Sequence, residues 1–257
     1  MTPPLALTDP VGPAGAPLLL LGPSLGTSTI LWETTVPLLS AHFRVVAWDL
    51  PGHGASPAAP GPFTVADLAD ALAVAVGEPA FLYAGVSLGG AVGLELALRH
   101  PERVRAAAII ASGAQLGDPE SWHRRAAQVR AQSTSSLIIA SAQRWFADGS
   151  VARHPELTGR LLHALQGADD ESYARCCEAL AAYDVRDRLG DITMPILAVW
   201  GQHDAVAPQG KADEIARGVS HGEAAMIPDA AHLPPAEQPE AIAHALLRFF
   251  AELEETS

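Results

Sequence analysis

The run Gly85-Val-Ser-Leu-Gly89 stands between a short apolar stretch that begins at Phe81 and a helical pattern over Ala91 to Leu98. Small residues two positions to either side of Ser87 are what a nucleophile elbow needs. There a strand passes into a helix through a turn so tight that its central residue is strained and its neighbours must lack side chains. Ser87 would then stand clear of the backbone at a helix start, where free amides and the helix dipole favour the negative charge that develops in acyl transfer.

A serine hydroxyl at neutral pH needs a histidine to take its proton and an acid to hold that histidine in the right tautomer. Asp204 follows the apolar run Ile196 to Trp200 in Gly201-Gln-His-Asp204, and His232 follows the next apolar run in Asp229-Ala-Ala-His232. Taken singly, Ser87 could be a turn residue and Asp204 a capping one. Together they give the chain order Ser, Asp, His of one triad arrangement. His42, His100, His154, His163 and His244 fall on helices or their ends, His203 sits beside the acid, and His53 in Pro51-Gly-His-Gly54 suits support of the backbone. His232 falls just past the last strand and before the last helix. Two amides must meet the developing oxyanion, that of Leu88 after the nucleophile and that of Leu25 in the loop after the first core strand. No His, Cys or carboxylate cluster has metal-ligand spacing and no glycine-rich phosphate loop follows a strand, so neither metal nor cofactor is expected.

These residues need strand ends to hold them. Apolar runs predict strands over Pro17 to Gly22, Phe43 to Trp48, Phe81 to Val86, Val104 to Ala111, Pro195 to Gly201 and Glu223 to Ile227. Helical stretches are expected around Trp32 and Leu38-Leu39, over Val65 to Val76, over Ala91 to Leu98 and over Pro239 to Glu252. Strand alternating with helix implies a mostly parallel sheet flanked by helices. From Gly117 to Leu189 the pattern is helical with no strand, which reads as an inserted helical cap (117–189) within a core formed by 1–116 and 190–257. Pro3, Pro4 and Pro10 are poor strand material, so an edge strand before Pro17 should be lost or irregular.

The 257 residues suit one α/β domain with an insertion. No apolar run approaches the ~20 residues of a membrane span, and the N-terminus has no basic head or long apolar stretch, so a cytoplasmic location is expected. Cys176 and Cys177 are adjacent in a helical segment and read as reduced packing residues. A net charge of −13 repels phosphate backbones and argues against nucleic-acid binding. An anionic ligand would therefore need a local cation set against the overall field.

On these residues the chain resembles the α/β-hydrolase superfamily, and within it the 3-oxoadipate enol-lactone hydrolases of the β-ketoadipate pathway. Ser24-Leu-Gly-Thr27 in the oxyanion loop is similar to that branch, as are Gln115 to Trp122, Arg144-Trp-Phe146 and Tyr173 to Leu180 in the cap. The likeness runs from about Pro17 to the end. It implies the α/β-hydrolase fold and a small anionic lactone as substrate, opened by Ser87 with His232 and Asp204. It also implies Arg144 as the cation for the substrate carboxylate, where the residue alone could equally be a solvated helix arginine. Trp122 and Trp145 would be lid residues over the ring, or core residues of the cap. Some relatives carry a decarboxylase domain after the closing helix, so a separate decarboxylase partner is expected here.

Two other readings remain. One is a general carboxylesterase or lactonase, or a perhydrolase, acting on other acyl compounds through the same triad. The other is a noncatalytic ligand-binding protein on a hydrolase scaffold, against which an intact triad argues. Haloalkane dehalogenation is disfavoured because that chemistry needs an aspartate where Ser87 stands.

Overall fold

A run of four leucines, Leu18 to Leu21, is buried to 6% exposure or less, because the strand that carries it is covered on both faces. The computed structural model describes residues 3–252. Seven strands form one sheet: β1 (Ala6–Leu7), β2 (Leu18–Gly22), β3 (Arg44–Asp49), β4 (Phe81–Val86), β5 (Val104–Ile110), β6 (Ile196–Gly201) and β7 (Gly222–Ile227). Their order is β1-β3-β2-β4-β5-β6-β7, and every pair is parallel except β1 with β3. The helices are α1 (Val36–Leu39), α2 (Val65–Val76), α3 (Leu88–Arg99), α4 (Pro119–Gln132), α5 (Ile138–Trp145), α6 (Ser150–Arg153), α7 (Pro155–Gly167), α8 (Asp170–Ala181), α9 (Gln209–Gly218), α10 (Pro234–Glu237) and α11 (Pro239–Glu252).

Local chemistry sets the element ends. Thr64 and Asp67 close a capping box at the start of α2, with the Asp67 amide donating to the Thr64 hydroxyl at 3.1 Å and the Thr64 amide to the Asp67 carboxylate at 2.8 Å. Gly77, at φ 66°, ends that helix in the left-handed region. The expected strands and core helices lie where the apolar runs put them, to within a residue or two, and α3 begins three residues early, directly after Ser87.

Two places differ in detail. The stretch around Trp32 and Leu38-Leu39 is not one helix but a 3-10 turn, Thr29–Trp32, followed by α1. Pro37 lacks the amide that a continuing helix would need, and it fits only the first turn of a new one. The N-terminal edge is irregular, as its prolines imply. β1 has two residues paired antiparallel with Trp48 and Asp49, and Val11 adds an isolated bridge to Val45.

Between β5 and β6 the chain holds only helices and turns. α4 lies along α8, and hydrogen bonds and an ion pair tie this segment to the core. The Asp169 amide donates to the Gly52 carbonyl at 2.8 Å and the Ala59 amide to the Ser172 hydroxyl at 2.9 Å. Arg160 forks onto both oxygens of Glu33. The Leu233 amide donates to the Trp145 carbonyl at 3.2 Å. Cys176 and Cys177 are buried and free, and burial raises both thiols, the second to about 12. Among the described residues no helix is long and apolar enough to cross a membrane.

Candidate active site

Ser87 follows β4 at φ 56° and ψ −114°, a backbone conformation that a residue with a side chain adopts only when its surroundings impose it. The surroundings can be named. A Cβ on Gly85 would run into the Gly89 carbonyl oxygen, and one on Gly89 would lie 2.6 Å from the Pro23 carbonyl oxygen. Glycine is therefore required at both positions by close approach of backbone. The Ser112 hydroxyl donates to the Ser87 carbonyl at 2.7 Å, and the buried Tyr83 phenol donates to the Gly89 carbonyl at 2.7 Å. These two side chains pin the turn from either side.

The amides near the elbow are partly spoken for. Gly89 donates to the Pro23 carbonyl and Ala91 to the Ser87 carbonyl. Leu88, the first residue of α3, has no preceding helical carbonyl to donate to. Leu25 lies in the loop after β2, and it lines the same cavity as Ser87.

His232 and Asp204 come together from the loops after β7 and β6. His232 Nδ1 lies 2.9 Å from Asp204 Oδ2, both side chains being almost fully buried. Against a carboxylate that nitrogen carries the proton and donates, which leaves Nε2 with the lone pair a base needs. The other oxygen of Asp204 accepts the amides of Val206 at 2.7 Å and Ala207 at 3.0 Å. Burial by itself would raise the Asp204 carboxyl. The charge and hydrogen bond of His232, with those two amides, outweigh it and hold the group below its ordinary value.

Ser87 and His232 open onto one cavity of about 470 Å³. Its core wall includes Ser24, Leu25, Ala205 and Val206, and its outer wall includes Trp122, Arg124, Arg125, Gln128, Arg144 and Trp145. All eight residues singled out in the sequence thus fall at one place: Leu88 and Asp204 behind the surface, the other six on it. Trp145 is buried against Phe146, edge to face at 6.2 Å between ring centres. Trp122 is half-buried and donates from its indole to the Leu116 carbonyl at 2.6 Å. Arg144 is half-buried and forms no ion pair. Burial lowers its pKa, and the nearby Arg125 lowers it further.

Sequence reasoning missed Arg125 and Glu237. Arg125 stacks its guanidinium over the Trp122 ring at 5.4 Å, and their i, i+3 spacing on a helix is the signal that could have found it. Glu237 is 2% exposed, and no local pattern marks it, since Ala147 and Ser150, which one of its oxygens binds, are remote in the chain. His53 is buried with Nδ1 donating to the Pro51 carbonyl at 2.9 Å, a backbone support outside the cavity. His203 lines a separate hollow with Arg153 and Asp229. Among the described residues no group of three His, Cys, Asp or Glu side chains is placed to hold a metal ion.

The elbow on β4, the acid and histidine after β6 and β7, and the largely parallel sheet define a hydrolase. The chain belongs to the alpha/beta hydrolase fold family, whose model matches residues 17–239. It is 33% identical to 3-oxoadipate enol-lactonase 2 of Acinetobacter baylyi, over 91% of this chain and 89% of that protein. It is 32% identical to a pimeloyl-[acyl-carrier protein] methyl ester esterase of Neisseria meningitidis, over 88% of this chain and 90% of that one. The crystal structure of the enol-lactonase from Burkholderia xenovorans LB400 superposes with a TM-score of 0.90 at 32% identity, covering 96% of both chains.

Proposed function

We propose that this hydrolase opens 3-oxoadipate enol-lactone to 3-oxoadipate, with Ser87 as nucleophile, His232 as general base and acid, and Asp204 as the acid that orients it. The observation that carries the reading is the shared cavity. Ser87 and His232 lie on its core wall, and the unpaired Arg144 faces them from the outer wall in a chain of net charge −13. The similarity to enol-lactonases supports the choice of lactone.

In this reading the ring carbonyl sits between the Ser87 hydroxyl and the amides of Leu25 and Leu88, which stabilise the oxyanion as Ser87 adds. His232 takes the serine proton and returns it to the ring oxygen. That oxygen leaves as an enol, and its ketonisation drives the step forward. Water activated by His232 then releases the acyl group from Ser87. Residues 117–189 act as a cap in which Trp122 and Trp145 cover the ring and Arg144 holds the carboxylate. The enzyme would work in the cytoplasm, in the degradative pathway that forms this lactone. The esterase relative favours a second reading, a carboxylesterase on other small acyl compounds.

The test is kcat/KM for freshly generated 3-oxoadipate enol-lactone beside p-nitrophenyl acetate, with Ser87→Ala as the blank. A value of about 10⁵ M⁻¹s⁻¹ or more on the lactone, within the range of true substrates, and far less on the ester supports the enol-lactonase. Weak turnover of both leaves the second reading.

A further inference from the structure

Ten of the fifteen arginines pair with a carboxylate. On the helices around the cavity Arg124 pairs with Glu120, and Arg130 with Glu171 and Glu178. Arg175 pairs with Glu171, and Arg160 with Glu33. The acidic side chains beside α4 and α8 are thereby occupied. Arg125 and Arg144, the two that line the cavity of Ser87 without an ion pair, are left facing the same space.

Both stand on the wall of one cavity of about 470 Å³, Arg125 from α4 and Arg144 from α5, and the positive charge of Arg125 disfavours that of Arg144. Like charges on the wall of a partly desolvated cavity repel, and only an anion between them turns that repulsion into attraction. Arg125 is held ready for it, because its guanidinium lies over the Trp122 ring and Trp122 is itself fixed through Leu116. Two forks converging from α4 and α5 suit a planar carboxylate better than a single point charge would.

We propose that Arg125 and Arg144 act as one anion-binding pair, and that the acyl substrate presents a free carboxylate which both guanidiniums share. The inference rests on Ser87 being the nucleophile of that cavity, and it adds Arg125 as a residue that determines specificity. It extends to the product. Ring opening leaves the acyl group esterified to Ser87, and its release by water creates a second carboxylate, so the product is a dicarboxylate that the pair retains, and dicarboxylates should compete with substrate.

Binding can be read without turnover, by calorimetry on the full chain with adipate and with its neutral counterpart adipamide. Adipate is expected to bind at least about tenfold more tightly than adipamide, and Arg125→Gln and Arg144→Gln should each weaken adipate by about ten- to a hundredfold. Arg125→Met keeps an unbranched apolar side chain beside Trp122 and removes the charge, so it should match Arg125→Gln. Adipate binding no better than adipamide, or unchanged in Arg125→Gln, overturns the pair. Full binding by Arg125→Met means that Arg125 acts through packing, which also overturns it. If the lactone is not turned over but adipate binding follows this pattern, the enol-lactonase reading fails and the anion pair stands. If the lactone is turned over with KM unchanged in Arg125→Gln, the pair fails and the enol-lactonase stands.

Discussion

The Glu237 carboxylate accepts the backbone amide of Ala231, the residue before His232, at 2.7 Å. Its other oxygen accepts the Ala147 amide at 2.7 Å and the Ser150 hydroxyl at 2.8 Å, both just beyond α5. One buried side chain therefore joins the histidine loop to the helical segment that carries Arg144 and Trp145.

Glutamine keeps only one acceptor oxygen, so Glu237→Gln must leave either the Ala231 or the Ala147 amide without its partner, a buried donor orphaned at a cost of about 1–3 kcal/mol. Denaturant unfolding should record that loss. Because the Ala231 amide neighbours His232, kcat should fall more than KM changes, and equal effects on the two would assign Glu237 to packing alone.

Ser87→Ala should abolish turnover with the fold retained, since the hydroxyl is the nucleophile in the proposed mechanism. The strained φ of 56° adds a second expectation. Ser87→Gly removes the Cβ that makes this conformation costly, so it should be inactive yet more stable than Ser87→Ala by about 1 kcal/mol. Unfolding curves of the two inactive variants, compared directly, test it.

Asp204→Asn should keep the shape of the site but present an amide to His232 and favour the wrong tautomer. A loss in kcat of about 10⁴ is expected, as in serine hydrolases built on the same relay. The wild-type carboxylate is held below its ordinary value of 3.8. The stability it contributes is present above that value and is lost only as pH falls through the lower folded one. Titration of Asp204 therefore should not produce an acid limb in the rate near pH 5, and a limb at that pH that vanished in Asp204→Asn would contradict this.

His53 predicts an acid sensitivity of the fold. Burial lowers its pKa from 6.5 to about 4, against the opposing effects of the Pro51 carbonyl and of Asp169. Between those values the unfolded chain binds a proton that the folded one refuses. Stability should fall as pH drops below 6.5, by up to about 1.4 kcal/mol per pH unit, and level off below the folded value. Stacked on Tyr173 at 6.0 Å, His53 would on protonation disturb the seat of α8. Unfolding free energies measured from pH 7 to pH 4.5 should show a shallower slope in His53→Gln.

The elbow was legible in the sequence because most of its requirements are local. Gly85 is dictated by the Gly89 carbonyl of the same turn, although Gly89 itself is dictated by the Pro23 carbonyl of the loop after β2, and Asp204 and His232 follow apolar runs that read as strands. The sheet was legible for the same reason, down to an irregular N-terminal edge implied by three prolines. The break between Trp32 and Leu38 turned on Pro37, whose missing amide decides where a helix can start.

What the sequence by itself determined, then, is the α/β frame and the order Ser87, Asp204, His232 along it, because strand periodicity and tight turns are written in neighbouring residues. Tertiary structure alone decided which arginines are free. Arg130 and Arg144 look alike in the sequence, yet one is taken by Glu171 and Glu178 and the other faces the cavity beside Arg125. It also decided that Glu237 would bind Ala147 and Ser150, some ninety residues away. Ion pairs and buried hydrogen bonds join segments remote in the chain, and their partners exist only once packing has brought those segments together.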